Sequence, residues 1–163
     1  MADGHGPHPG KPAGHGDRVH HGWPGPARAV GVAPVLDLGF DPDTLELART
    51  RTRACVSLAG FSESRAEDVV LAVHELAANA IVHGAGAGRL RVWNLAGASL
   101  CQVDDGGPDD SGLAASPAQV AVNLLPSEPG HGLWVVRRVV DQMQSLSGPA
   151  GTSVLIRFDL PRR

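Results

Sequence analysis

The sequence contains one lysine and no tyrosine, and aromatic residues make up only 4% of its 163 residues. Because Lys11 is the only lysine, no phosphate-binding loop of the G-x-x-x-x-G-K-[ST] type is present. The chain has no apolar run long enough to cross a bilayer and no apolar N-terminal segment typical of a signal peptide. A formal charge of −3 argues against the basic surface of a nucleic-acid-binding protein. We therefore expect a cytoplasmic protein that contacts neither membranes nor nucleic acids directly.

The length and composition predict one folded domain with an N-terminal arm. Residues 1–28 are rich in glycine, proline and histidine and offer little to bury, which is typical of a disordered arm. Its histidines are irregularly spaced, which favours a solvated tail over a metal-binding tract. The domain, residues 29–163, is expected to have an aliphatic core, since 42% of the chain is hydrophobic. Cys55 and Cys101 are predicted to be free thiols because cytosolic disulfides are rare.

Apolar periodicity and turn residues predict an α+β domain. We predict strands at residues 30–40, 89–95, 100–104 and 151–160, the first at an edge because of Pro34. Helices are predicted from Asp41 as N-cap to Gly60, from a Ser64–Glu67 capping box to His83, and over residues 132–143. The inner face of the first helix is predicted from its apolar spacing as Leu45, Ala48, Cys55 and Leu58. Residues 106–130 are expected to form a lid, with a short helix at 118–125.

The most informative stretch is the helix that ends near His83. Glu75, Asn79 and His83 are four residues apart and so lie on one stripe of that helix, beside a face of valine, leucine and alanine. A carboxylate and a carboxamide one turn apart suit a metal-bound polyanion, since Mg²⁺ prefers oxygen ligands. A polar surface seam explains the same pattern equally well. The helix alone does not decide between the two interpretations.

Three further motifs follow in order along the chain. Asp104-Asp105-Gly106 ends a predicted strand, where an aspartate beside open backbone can grip an amino-bearing ring. Gly130-His131-Gly132-Leu133 opens a helix, and backbone N–H groups at a helix N-terminus bind phosphate. Gly151-Thr152 opens the last strand. Each motif alone has an ordinary explanation as a turn, a helix entry or a strand start, but the four together indicate a site for Mg²⁺ and an adenine nucleotide.

The order E-x-x-x-N, D-x-G, G-x-G-L and G-T resembles the GHKL ATPase superfamily of gyrase, heat-shock chaperone, histidine-kinase and MutL ATPase domains. H-E-L-A-A-N-A-I-V-H-G, G-H-G-L-W-V-V-R-R-V-V-D and G-T-S-V-L-I-R-F-D-L-P are similar to bacterial anti-sigma regulatory factors, which are serine kinases of partner-switching modules. The resemblance covers about residues 30–161. It implies a two-layer α/β sandwich of the Bergerat type, with helices on one face of a mixed, mostly antiparallel sheet. ATP and Mg²⁺ would bind between a helix and the lid.

The resemblance also implies roles for individual residues. Glu75 matches the catalytic glutamate, the general base toward an acceptor hydroxyl, and Asn79 matches the Mg²⁺ ligand. Asp104 matches the aspartate that accepts from the adenine amino group, and Gly106 the glycine that lets the base approach. His83 stands where these factors commonly carry a histidine, for which we expect a structural role.

The second half of the expected site is the phosphate-binding turn. Gly130, His131, Gly132 and the N–H of Leu133 match that turn, and Thr152 matches the residue that supports the adenine pocket. Two departures affect this half of the site. Pro108 stands where the second glycine of D-x-G-x-G belongs, and residues 107–130 contain no lysine or arginine to neutralise a terminal phosphate.

The resemblance implies a protein serine/threonine kinase of the anti-sigma type. Such a protein binds a sigma factor, phosphorylates an anti-anti-sigma partner of the STAS type, and is expected to be a homodimer. The lid without basic residues favours an alternative, a nucleotide-gated binding module with little or no kinase activity. A purely structural adaptor is disfavoured because all four motifs are recognisable.

Overall fold

The computed structural model describes residues 32–106, 131–148 and 151–161. Within these ranges, one sheet of five strands carries three helices on one face. The strands are β1 (Leu36–Phe40), β2 (Gly88–Leu95), β3 (Ala98–Asp104), β4 (Gln142–Gly148) and β5 (Gly151–Asp159). The helices are α1 (Leu45–Leu58), α2 (Glu63–His83) and α3 (His131–Val139). The predicted arm at 1–28 and most of the predicted lid, with its short helix, lie outside the described residues.

The predicted α+β class is confirmed, with one correction to the sheet. The strand order is β1-β2-β3-β5-β4, and each pairing between described strands is antiparallel, so the expected mixed character is not found there. β2 and β3 form the predicted hairpin, whose turn contains Gly97 at φ 81°. β1 is an edge strand, as Pro34 indicates, and begins two residues after it.

Strand β4 differs from the sequence-based prediction. The predicted last helix extends to residue 143, whereas α3 ends at Val139 and Met143 pairs with Ile156 of β5. The helical spacing from Leu133 to Met143 is real, and both side chains pack against the main core. Pairing with the long neighbouring strand β5 nevertheless decides the conformation, which a helical pattern alone does not reveal.

Helix α1 starts later than predicted, and three of its four predicted inner residues, Leu45, Ala48 and Cys55, belong to or pack against the main core. The Asp41 carboxylate accepts hydrogen bonds from the N–H groups of Asp43 (3.0 Å) and Thr44 (2.9 Å), which closes a turn before the helix and leaves Thr44 as N-cap. Ala48, Thr52 and Val56 are fully buried. Leu58 is 89% exposed, so its prediction as an inner residue is wrong. It lies two residues beyond Val56, about 200° around the helix.

Helix α2 begins two residues earlier than predicted and has a different cap. The Ser62 hydroxyl accepts from the N–H of Arg65 (3.3 Å), so the predicted capping box at Ser64 and Glu67 is wrong. The predicted end at His83, with Gly84 as C-cap, is confirmed. The predicted apolar line is buried as expected: Val69, Val73, Leu76 and Ala80. It places α2 over the centre of the sheet, against β2 and β3.

The two faces of the sheet differ, and we call them the helix face and the far face. The helix face carries the main core, in which Val92, Cys101 and Ile156 from three neighbouring strands pack under the helices. The far face carries a small separate cluster of Trp93, Leu100 and Leu155. Residues alternate between these faces along each strand, so the register fixes which side chains can meet α2.

Both cysteines are free thiols, as predicted. Cys101 is fully buried on the helix face, and burial raises the pKa of its thiol to about 12. Burial also raises the pKa of the half-buried Cys55. In the described part of the chain, the helices are too short or too polar to cross a membrane.

Candidate functional site

Helix α2 presents Glu75 and Asn79 from a half-buried position. Their immediate neighbours Leu76 and Ala80 are buried at 3% and 5% exposure, so the two polar side chains border the core. One turn of helix separates them, a rise of about 6 Å. His83 ends the helix and is exposed. The polar seam predicted from the sequence therefore exists, and its first two members are partly shielded from solvent.

The C-terminal end of α2 meets the end of β3 at Gly84. A Cβ atom on Gly84 would lie 2.5 Å from the carbonyl oxygen of Ala80 and 2.9 Å from the Cβ of Asp105. Real Cβ contacts are not that short, so only glycine allows the helix end and Asp105 to approach so closely. Asp105 is thereby held beside Gly84, the residue that follows α2, on the helix face of the sheet.

Asp105 is bound to the start of β5. Its N–H donates to the carbonyl oxygen of Thr152 (2.9 Å), and its Oδ1 accepts from the N–H of Thr152. Gly151 has φ 120°, and a Cβ on it would lie 2.5 Å from that same Oδ1. The other carboxylate oxygen, Oδ2, lies 3.0 Å from the position that a Cβ atom on Gly84 would take. Asp105, Gly84, Gly151 and Thr152 form a compact unit, which we call the Asp105 corner.

Asp104 lies on the far face and is separated from α2. Along β3, Cys101 and Val103 belong to the main core, so Asp104 points to the opposite side. Its Oδ1 accepts from the side-chain amide of Gln102 (2.9 Å), and its Oδ2 lies 3.6 Å from a guanidinium nitrogen of Arg91. That Oδ2 is buried and has no hydrogen-bond partner.

The residue that sequence reasoning missed is therefore Asp105. The structure brings it, and not Asp104, to the end of the helix that bears Glu75 and Asn79. The signal was present in the sequence, since Val103 and Asp105 are two residues apart and must share a face of the sheet. Gly106 follows at the exposed end of this segment.

Helix α3 begins at His131, so the predicted phosphate-binding motif does open a helix. Leu133 packs against the main core and Val136 is fully buried, which fixes the first half of the helix on the sheet. The free N–H groups and the positive end of the dipole are at His131, Gly132 and Leu133. Gly130 lies outside the described residues.

A separate cavity of about 290 Å³ opens between α1 and α2, away from these residues. Its walls are Arg49, Glu67, Asp68, Val70, Leu71 and His74. It contains none of the residues that the motifs identify, and its mixed charges do not match a nucleotide. The candidate site is therefore assigned on the chemistry of α2 and the Asp105 corner and not on the shape of a cavity.

Comparison with known proteins agrees with this geometry. The family model of the histidine kinase-like ATPase domain matches residues 38–158, from the middle of β1 almost to the end of β5. The match spans both α2 and the Asp105 corner. No curated protein sequence matches the chain. Since the matched segment is most of the sequence, the chain belongs to the histidine kinase-like ATPase family.

Proposed function

We propose that the chain binds Mg·ATP between α2, the Asp105 corner and the N-terminus of α3, and that it acts as an anti-sigma-type protein serine/threonine kinase. It would bind a sigma factor and phosphorylate a serine or threonine on a STAS-type anti-anti-sigma partner, as a homodimer. The observation that carries the nucleotide site is the Asp105 corner at the end of the helix with Glu75 and Asn79. Family membership supports ATP as the ligand.

Adenine is assigned to Asp105 in this proposal, in place of Asp104. A carboxylate only accepts hydrogen bonds, so it favours the exocyclic amino group of adenine over the carbonyl that guanine carries at that position. Thr152 holds one carboxylate oxygen through its N–H and supports the same pocket. The glycines around the corner let Asp105 pack closely against the end of α2 and the start of β5, which fixes the position of its carboxylate.

The phosphates are assigned to the N-terminus of α3. Backbone N–H groups of His131, Gly132 and Leu133 would donate to the phosphate oxygens, and the helix dipole favours negative charge there. This helix has nine residues, and its C-terminal end is hydrogen-bonded to α2. The two parts of the nucleotide would thus be bound by two elements that pack against each other.

Asn79 would supply one neutral oxygen to Mg²⁺, which otherwise keeps water and phosphate oxygens as ligands. Among the described residues, no group of three or more His, Cys, Asp or Glu side chains is placed to hold a metal ion. The donor set therefore fits an ion that arrives with the nucleotide better than a resident metal. When bound, Mg²⁺ would neutralise phosphate charge. Glu75, one turn away, would accept the proton of an acceptor hydroxyl.

The test of the kinase function is Glu75→Gln, with Glu67→Gln on the exposed side of the same helix as control. Incubation with γ-labelled ATP and the STAS-domain proteins of the same genome should label one of them with the wild type and with Glu67→Gln. Glu75→Gln should bind ATP within about threefold of wild type and lose labelling by at least about 100-fold. Undiminished labelling by Glu75→Gln would refute its role as base.

The second candidate is a nucleotide-gated binding module without useful kinase activity. The observation in its favour is that residues 107–130 carry three acidic residues and no lysine or arginine. Charge neutralisation is a large part of phosphoryl transfer, so this composition predicts slow transfer. If ATP binds with wild-type protein and no STAS-domain protein gains phosphate, this candidate replaces the kinase.

A further inference from the structure

Arg65, in the first turn of α2, contacts three other parts of the fold. One guanidinium nitrogen donates to the carbonyl oxygen of Val139 (2.6 Å) and to the carboxylate of Asp68 (3.1 Å). The other terminal nitrogen donates to the carboxylate of Asp141. The guanidinium also stacks over the ring of Phe158, with its carbon 4.9 Å from the ring centre. No sequence motif marks this residue.

The bond to Val139 caps the C-terminus of α3. Val139 is the last residue of that helix, so its carbonyl oxygen has no partner within the helix. A cation at this end also opposes the negative pole of the helix dipole. At this end of α3, the N–H of Val140 donates to the carbonyl oxygen of Val136. Arg65 supplies the hydrogen bond to the carbonyl oxygen of Val139.

The bond to Asp141 extends the same anchor to the sheet. Asp141 Oδ2, which accepts from Arg65, also accepts from the N–H of Asp159 (2.8 Å). The N–H of Asp141 donates to the carbonyl oxygen of Arg157 (3.0 Å). The end of α3 is thus tied to α2 by Arg65, whose side chain is 24% exposed, and to β5 by Asp141.

The position of this anchor determines where the other end of α3 lies. The C-terminus of α3 contacts the first turn of α2, and the two helices pack against each other. The N-terminus of α3 must therefore lie toward the C-terminal end of α2, so the two helices are antiparallel. Nine residues place the N-terminus of α3 about 12 Å from the anchored end, and Glu75 is about 15 Å along α2 from Arg65. The anchor therefore brings the N-terminus of α3 to within about one turn of the level of Glu75, with Asn79 about one turn further along α2.

We propose that Arg65 is a positioning residue for the nucleotide site, on which it acts through α3. The proposal rests on the proposed ATP-binding function. Arg65 sets the distance between the phosphate-binding end of α3 and the Glu75–Asn79 seam of α2. A rotation of about 10° around the anchored end would move the other end by about 2 Å. Binding groups need to be held to within about 0.5 Å.

The experiment compares ATP with adenosine, which occupies the base pocket and has no phosphate. Full-length Arg65→Met keeps a long unbranched side chain beside Phe158 and loses the three hydrogen bonds. We expect its Kd for Mg·ATP to rise about tenfold and its Kd for adenosine to change by less than about twofold. Arg65→Lys, which keeps the charge and can retain one bond, should stay within about threefold of wild type for both ligands.

The matched control is Arg53→Met, which also removes one positive charge and two ion pairs. These are the pairs of Arg53 with Glu63 and Glu67, which join α1 to α2. It should leave both Kd values within about twofold. If Arg65→Met does not fold, Asp141→Asn removes half of the anchor and should give a smaller difference in the same direction.

Two results would overturn the proposal. One is that ATP and adenosine lose affinity equally in Arg65→Met, which indicates general loosening of the fold. The other is that ATP affinity does not fall. A wild-type protein that binds neither ligand would instead refute the proposed function, and that result is read before any variant is compared.

Discussion

Asp104 and Asp105 are neighbours in the chain with the same side chain, and they lie in opposite surroundings. Asp104 is buried on the far face, bonded to Gln102 and close to Arg91. Asp105 lies on the helix face, where it is bonded to Thr152 and crowded by glycines. Only Asp105 is near the end of α2. A shift of one residue along a strand therefore separates a structural carboxylate from a candidate nucleotide ligand.

The two faces of the sheet differ in the same way. The helix face is a broad aliphatic core that positions α2 and α3. The far face combines a three-residue apolar cluster with ion pairs, among them the bond from Arg89 Nε to Asp37 (2.6 Å). The helix face thus positions the site, and the far face contributes local stability. The following predictions separate these contributions.

The largest expected loss of stability is at Phe158, which is compared with a second buried residue of β5. Phe158→Ala, on the helix face, should lower the free energy of unfolding by about 4 kcal/mol, since it opens a cavity in the main core. Leu155→Ala, in the small far-face cluster, should cost about 2 kcal/mol. Urea unfolding followed by circular dichroism measures both. Equal losses of unfolding free energy would mean that the far-face cluster contributes as much to stability as the main core.

The second comparison uses two glycines with positive φ. Gly97 has φ 81° and open space where a Cβ atom would stand, so Gly97→Ala should cost about 1 kcal/mol from backbone strain alone. Gly151→Ala adds a clash with Asp105 Oδ1 and should cost about 3 kcal/mol. It should also weaken ATP binding, which Gly97→Ala should not. Urea unfolding measures the loss of stability, and calorimetry measures ATP binding. Similar losses of stability in both variants would contradict the close contact between Gly151 and Asp105.

The smallest expected effect is an acid-dependent loss on the far face. The hydrogen bond from Arg89 holds the pKa of Asp37 below its ordinary 3.8, although burial acts in the opposite direction. A carboxyl group with a lowered pKa stabilises the fold above about pH 4, and this contribution is lost as the pH falls through the lowered pKa. For a pair that is about one third exposed we expect roughly 0.5 kcal/mol.

The measurement is urea unfolding of wild type and Asp37→Asn between pH 6 and pH 2.5. The difference between the two proteins should be greatest at pH 6 and should shrink toward pH 2.5. A difference that stays constant over this range would show that the ionised Asp37 contributes nothing through its charge.

The elements with strong local signals could be predicted from the sequence. The core line of α2, its end at Gly84 and the β2–β3 hairpin follow from side-chain periodicity and glycine chemistry, which act over a few residues. Membership of the family and the order of the motifs were also visible. The beginnings of α1 and α2 were less predictable because several neighbouring Ser, Thr and Asp residues compete as caps.

Strand β4 and Asp105 could not be predicted from local signals in the same way. Gln142 and Met143 adopt a strand because β5 offers a pairing edge, which is a tertiary effect. The spacing of the motif residues favours Asp104 over Asp105. Spacing alone carries no information on which face of the strand each side chain occupies. Arg65 carries no motif at all, since its role depends on Val139 and Asp141, more than seventy positions away in the chain.

The most direct test of the assignment of the nucleotide site to the helix face is a calorimetric titration of Mg·ATP into Asp105→Asn and Asp104→Asn. A hydrogen bond to a charged group is worth about 1.5–3 kcal/mol, so Asp105→Asn should weaken binding by roughly 10- to 100-fold. Asp104→Asn, folded as judged by circular dichroism, should bind within about threefold of wild type. Loss of ATP binding in Asp104→Asn with wild-type affinity in Asp105→Asn would contradict the assignment.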